Sequence, residues 1–260
     1  MNVAGVTLTP IWREGLVGVE FAGLVRNRVF REPPNAPEPM PVMLIPGFLT
    51  GDAQIGTLAS WLRRCGHRTH KSGIRLNIDC GEAAMCRLED RLEALVRSEG
   101  APAALIGQSR GGTFARVLAV RRPELVRSVI TLGSPHLAPL AVHPLVLLQG
   151  ASLAVLSSLG IPGLFSRHCR AGECCSTFRD DLAAPMPRGV EFVSIYSKQD
   201  GIVDWRACLD PHAKHVDVRS THCGMGVNGG VYEALDRVLH RPAARGRKPR
   251  PARRALPAAA

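Results

Sequence analysis

The stretch Leu105-Ile106-Gly107-Gln108-Ser109-Arg110-Gly111-Gly112 decides how this chain is read. Its first residues continue Ala103-Ala104, an unbroken apolar run suited to a strand covered on both faces. From Thr113 to Arg121 the residues favour a helix, which Pro123 stops. Ser109 lies between the two, with Gly107 and Gly111 two residues away on either side. A sharp strand-to-helix corner brings the two backbones closer than a Cβ allows, and glycine at both flanks removes the clash. The serine at the apex then projects beyond the sheet edge. The helix N-terminus aims unpaired N–H groups and its positive dipole end at the same place. An ordinary glycine-rich turn shares this pattern, so a nucleophile needs partners elsewhere.

Working outward, apolar runs alternate with amphipathic ones. Val42-Met43-Leu44-Ile45 reads as a strand ended by Pro46-Gly47. Ile55 to Cys65 reads as a helix with Leu58, Trp61 and Leu62 on one face, and His67 to Lys71 as a short strand. Ala84 to Glu99 carries Met85, Leu88, Leu92 and Leu95 on one stripe and stops at Gly100. Strands are expected over Val126–Leu132, Val190–Tyr196 and His215–Val218, and a closing helix over Asn228–His240. This alternation predicts an α/β fold: a mostly parallel central sheet with helices on both faces. Residues 14–30 read as an amphipathic helix, followed by a connector with five prolines between Arg31 and Pro41. The expected organisation is an N-terminal segment over 1–41, a domain over 42–240 and a tail over 241–260.

Composition limits the function classes. With 260 residues, 45% apolar and 21% charged, the chain suits one sizeable folded domain rather than a coiled coil or a disordered chain. The net charge of +11 suggests a polyanion partner, but seven of the basic residues lie beyond His240, leaving residues 1–240 at +4. The tail reads as disordered and solvated, with weak attraction to anionic lipid or nucleic acid, and no specific nucleic-acid partner is expected. No basic start followed by an apolar run is visible, and Glu14 and Glu20 interrupt the nearest apolar stretch. Reduced thiols and a cytoplasmic location are therefore expected for the eight cysteines.

Leu137 to Ser166 contains no Asp, Glu, Lys or Arg and is long enough to cross a bilayer. A crossing there would separate Ser109 from the partners identified below. The stretch is read instead as part of an apolar insertion over 137–187, broken into short helices by Pro144, Pro162 and glycines. Leu145, Val146, Leu147, Leu148, Leu153, Val155, Leu156 and Leu159 would line an acyl slot or face lipid.

A serine hydroxyl needs a base, and the base needs a group that sets its tautomer and stabilises its cation. Asp200 follows the strand ending at Tyr196, and His222 follows the strand ending at Val218. Both occupy loops beyond strand carboxyl ends, where α/β sites are built. Asp204 competes for the acid role but lies further from its strand, while His212 and His215 precede the last strand rather than follow it. Two N–H donors are expected for a developing oxyanion. One is that of Arg110; the other is that of Phe48, after Gly47.

Together, Pro46-Gly47-Phe48, Gly107-Gln108-Ser109-Arg110-Gly111-Gly112, Thr131-Leu132-Gly133-Ser134-Pro135-His136, Asp200 and His222 resemble the α/β-hydrolase superfamily, in its bacterial lipase/esterase branch. The resemblance spans roughly residues 40–240. It implies acyl-ester hydrolysis through an acyl-serine, with a lid over the site and no cofactor. Pro46 and Gln108 stand where many such lipases carry histidine. An acyltransferase or thioesterase would use the same triad, and a non-catalytic lipid- or partner-binding module is the alternative outside enzymes. His168, Cys169, Cys174 and Cys175 offer ligand types that suit zinc, but Cys174 and Cys175 are adjacent and a second Cys-x-x-Cys pair is missing. No metal is expected on that basis. Cys223, beside His222, reads as structural.

Overall fold

Strand-forming runs too short to bury themselves must pair, and among the described residues six of them do, all in parallel. In chain order they are β1 (Pro41–Ile45), β2 (Arg68–Lys71), β3 (Ala103–Gln108), β4 (Val126–Leu132), β5 (Glu191–Tyr196) and β6 (Lys214–Asp217). The sheet order is β2-β1-β3-β4-β5-β6. The computed structural model describes residues 9–159, 164–166, 169 and 172–239. The chain runs outward from β1 to β2, then crosses back to place β3 on the other side of β1. Strand order reverses there, so the loops after β1 and β3 face each other across a crevice. Register fixes the meeting: Ile45 pairs with Gly107, which brings Gly47 level with Ser109.

Alternate side chains of the strands feed two cores. Val42, Leu44, Ala104 and Ile106 join Leu24, Trp61 and Tyr232 on one face; Met43, Ile45, Ala103 and Leu105 join Met85, Leu92 and Phe114 on the other. That period of two, with both faces buried, is why these strands read as continuous apolar runs. The flanking helices are α3 (Gly56–Arg64), α4 (Gly81–Glu99), α5 (Arg110–Arg121) and, near the C-terminal end of the described chain, α8 (Gly229–Leu239).

Three local differences from the sequence reading have simple causes. The helix expected over 14–30 is a 3₁₀ turn (Ile11–Leu16), then α1 (Val17–Arg26) and α2 (Arg28–Arg31). The break comes at Asn27, whose side chain accepts the N–H of Val29 and caps the second helix. The helix after Ser109 begins at Arg110 rather than Thr113, because Ser109 is itself the N-cap residue. In the insertion, α6 (Pro144–Ser158) runs unbroken for 15 residues. Pro144 starts it without losing a hydrogen bond, and Gly150 does not interrupt it. The insertion also holds α7 (Ser176–Ala183). Among the described residues, no helix is long and apolar enough to cross a membrane. His168, Pro162 and the tail over 241–260 lie outside the described residues.

One buried ion pair joins α5 to the loop between β5 and β6. Arg116 Nε donates to Asp210 Oδ2 at 2.6 Å, with both side chains almost fully buried. The guanidinium also donates to the carbonyls of Asp181 and Ala184, tying in α7. Burial raises the Asp210 carboxyl, but the N–H of His212 and the charge of Arg116 outweigh it and hold the group below its ordinary range. Arg116→Ala leaves Asp210 buried without its counter-charge. Urea denaturation at neutral pH should show a loss of about 3–5 kcal/mol; a loss below about 1 kcal/mol, the surface-pair range, would mean that water replaces the guanidinium.

Candidate active site

Ser109 sits at the corner between β3 and α5 with φ 53° and ψ −123°, a conformation that residues with a side chain rarely adopt. The corner is held on all sides. Ser109 N–H donates to the carbonyl of Leu132 at the end of β4. A Cβ on Gly107 would run into the backbone of Gly111, and one on Gly111 into the carbonyl of Ile45. A Cβ on Gly47 would stand 3.3 Å from the Ser109 Cβ, so the loop after β1 lies directly against the serine. Leu49, two residues on, is the other described non-glycine residue with positive φ, at 59°.

Asp200 and His222 meet. Asp200 Oδ2 lies 2.7 Å from His222 Nδ1, and both side chains are buried. The other oxygen, Oδ1, accepts the N–H groups of Ile202 (2.8 Å) and Val203 (2.7 Å), which fixes the carboxylate. Asp204 is used differently. It accepts the N–H of Arg206 and caps the 3₁₀ turn Trp205–Cys208. His212 and His215 turn to Asp210 instead, through its carboxylate and its carbonyl.

Ser109 and His222 line one cavity of about 110 Å³, together with Gly47, Phe48, Gln108 and Val146. Val146 comes from α6, so the insertion contributes a wall. Burial pulls the His222 imidazole down, but the charge and hydrogen bond of Asp200, with the charge of Glu14, outweigh it and raise the group above 6.5. Cys223 also lines the cavity. Desolvation and then the nearby carboxylates of Glu14, Asp200 and Glu20 push its thiol up to about 12, so it stays protonated at neutral pH.

The site has supports that the sequence reading did not single out. Glu14, from the 3₁₀ turn near the N-terminus, accepts the N–H groups of Gly201 (2.8 Å), His222 (2.9 Å) and Cys223 (2.8 Å). One carboxylate thus clamps the loop carrying Asp200 to the loop carrying His222. Glu20, on α1, accepts from Ser220 Oγ, the Thr221 N–H and Asn228 Nδ2. Gln108, buried beside the serine, donates to the His222 carbonyl at 3.0 Å and accepts from Gln54. The signal for the two glutamates is slight: both are acids interrupting an otherwise apolar helical stretch. Residues able to hold a metal gather elsewhere, at Cys80, Cys169, Cys174 and Cys175.

The esterase family model matches residues 81–236, more than half of the chain. The chain belongs to the esterase family. Its fold is that of the α/β-hydrolases. A mature Bacillus licheniformis lipase is similar at a TM-score of 0.57 and 16% identity, over 80% of this chain and 94% of that one. A Paleococcus ferrophilus monoacylglycerol lipase is similar at 0.54 and 17%, over 79% and 94%. An α/β hydrolase from a lagoon-sediment metagenome is similar at 0.52 and 16%, over 79% and 90%. Likeness at such identities is likeness of fold. The family supports ester hydrolysis as the general activity of this esterase.

The Glu14 clamp has a measurable consequence. In Glu14→Gln the imidazolium loses a nearby negative charge, so the His222 ring resonances should titrate at lower pH than in the parent esterase. An unmoved or raised midpoint would show that Glu14 does not act on His222 electrostatically.

Proposed function

We propose that this esterase cleaves carboxylic esters carrying an apolar acyl chain, with Ser109 as nucleophile, His222 as general base and acid, and Asp200 orienting and stabilising the imidazole. The reading rests on one observation above the rest: the strained serine and the histidine of a 2.7 Å His222–Asp200 pair open on the same cavity. With Nδ1 engaged by Asp200, Nε2 is left to accept the hydroxyl proton.

In this reading Ser109 Oγ attacks the ester carbonyl carbon while His222 Nε2 takes its proton. The carbonyl π electrons move onto oxygen, facing the N–H groups of Phe48 and Arg110. Each such donor contributes on the order of 3 kcal/mol where charge develops. The C–O bond to the alcohol then breaks, and the leaving oxygen takes the proton from His222. Water, deprotonated by the same imidazole, attacks the acyl-serine and releases the acid. An apolar acyl group suits Phe48, Leu49, Val146 and Ile202 on the cavity wall. The insertion would serve as a lid, with Leu145, Leu148, Val155, Leu156 and Leu159 exposed on it beside Val146 on the wall.

A fluorophosphonate probe should label the parent chain and leave Ser109→Ala unlabelled; labelling that persists in the variant moves the nucleophile elsewhere. Asp200→Asn should lose about 10⁴ in turnover, while Asp204→Asn keeps near-parent turnover; the reverse ranking transfers the acid role. Because His222 is raised, the acidic limb of the pH–rate profile should lie above the ordinary histidine value. Across a series of p-nitrophenyl esters, rates should rise from acetate to medium acyl chains; a steady fall with length would reject the acyl-chain reading.

A further inference from the structure

We propose that Cys80, Cys169, Cys174 and Cys175 bind one zinc ion as a tetrahedral thiolate site that fastens the insertion to the hydrolase core. Three of these cysteines lie within the insertion. The fourth, Cys80, is distant in sequence and reaches the others from the loop that leads into α4. The sequence reading groups Cys169, Cys174 and Cys175 with His168 and does not include Cys80, whose thiol completes a set of four.

The geometry favours a single ion held by all four sulfurs. The four Sγ atoms all lie within 4.8 Å of one another. The separations are 3.4 Å for Cys80–Cys175, 3.8 Å for Cys169–Cys174 and 3.9 Å for Cys174–Cys175. Zinc–sulfur bonds of about 2.3 Å, set tetrahedrally, put sulfurs about 3.8 Å apart. These three separations lie within about 0.4 Å of that edge, the other pairs stay within 4.8 Å, and an S₄ set suits zinc among common metals. The adjacent pair is accommodated because Cys174 and Cys175 belong to one 3₁₀ turn (Glu173–Cys175), from which both thiols point to the same place.

Around Cys80 and Cys169 the surroundings also suit thiolates. Cys80 is the N-cap residue of the 19-residue α4, whose dipole favours negative charge there. Cys169 Sγ accepts from the Ser166 N–H and contacts its hydroxyl, both at 3.3 Å. Arg110 brings a positive charge beside Cys80, Cys169 and Cys175. It is held there by Asn77 Oδ1 (2.8 Å) and the carbonyl of Asp79. The scaffold is tied on both sides: Phe165 N–H donates to the Ile78 carbonyl, and Arg179 donates to the carbonyls of Cys169 and Gly172. On binding, Zn²⁺ displaces four thiol protons to solvent and forms four Zn–S bonds without any redox change.

The test uses the full chain purified under reducing conditions without chelator and supplied with zinc chloride. Elemental analysis should give one zinc per chain. Cys80→Ser and Cys174→Ser should lose most of it, while Cys86→Ser, outside the cluster, keeps it. Cobalt(II) added to metal-free parent chain should give the sulfur-to-metal charge-transfer and visible bands of a tetrahedral thiolate site, which does not depend on any variant folding. Chelation should lower the Tm of the parent and leave that of Cys80→Ser unchanged. Zinc far below one per chain, a cobalt spectrum without thiolate bands, or peptide masses showing Cys80–Cys175 or Cys169–Cys174 disulfides in place of metal would overturn the proposal. None of these readouts involves ester hydrolysis, so this outcome and that of the proposed reaction are separable.

Discussion

The steric closeness of one backbone corner governs this molecule. Where β3 gives way to α5, the backbones of Gly107, Gly111 and the end of β1 touch with no room for a single extra carbon. That crowding forces the residue between the glycines into a backbone conformation that costs on the order of 1–3 kcal/mol. The penalty is tolerable because the corner is bound into the sheet, through Leu132 on β4 and the register that sets Ile45 against Gly107. The strained serine and the crevice both follow from strands packed this tightly at the point where sheet order reverses.

A second layer of organisation is electrostatic and comes from outside the α/β unit. The loops bearing Asp200 and His222 are irregular, and their backbone N–H groups lack ladder partners. Two carboxylates from the N-terminal helical segment accept them, with Glu14 spanning both loops and Glu20 holding the approach to α8. Glycine at 201 and 224 allows this, since a Cβ at either would collide with the glutamate it faces. The charge of Glu14 adds to that of Asp200 in raising His222 and to desolvation in keeping the Cys223 thiol protonated, so one carboxylate acts on both neighbours.

What could be read without coordinates divides along range of interaction. The alternation of strands and helices, the parallel sheet and the corner at Ser109 were legible because each is written in local periodicity and glycine spacing. The pairing of Asp200 with His222 was approachable because both sit just past strand ends. Glu14, Glu20, Gln108 and Cys80 were not legible in their roles. Each acts on residues distant along the chain through contacts that leave no periodic trace. The N-terminal stretch read as one helix because a single Asn cap interrupts an otherwise continuous pattern. The insertion reads as several short helices because proline and glycine break helices in mid-course, whereas Pro144 stands where proline begins one.

The Glu14 contact also constrains how the protein comes into being. Its carboxylate emerges from the ribosome first, and the amide of His222 that it receives is made 208 residues later. β5, β6 and the closing loops must all be synthesised before that contact can form. Non-local closures of this kind slow folding and come late in it. A nascent chain therefore carries the strained corner at Ser109 while the loop of His222 is still unmade, and the cavity the two share closes only after both have been synthesised.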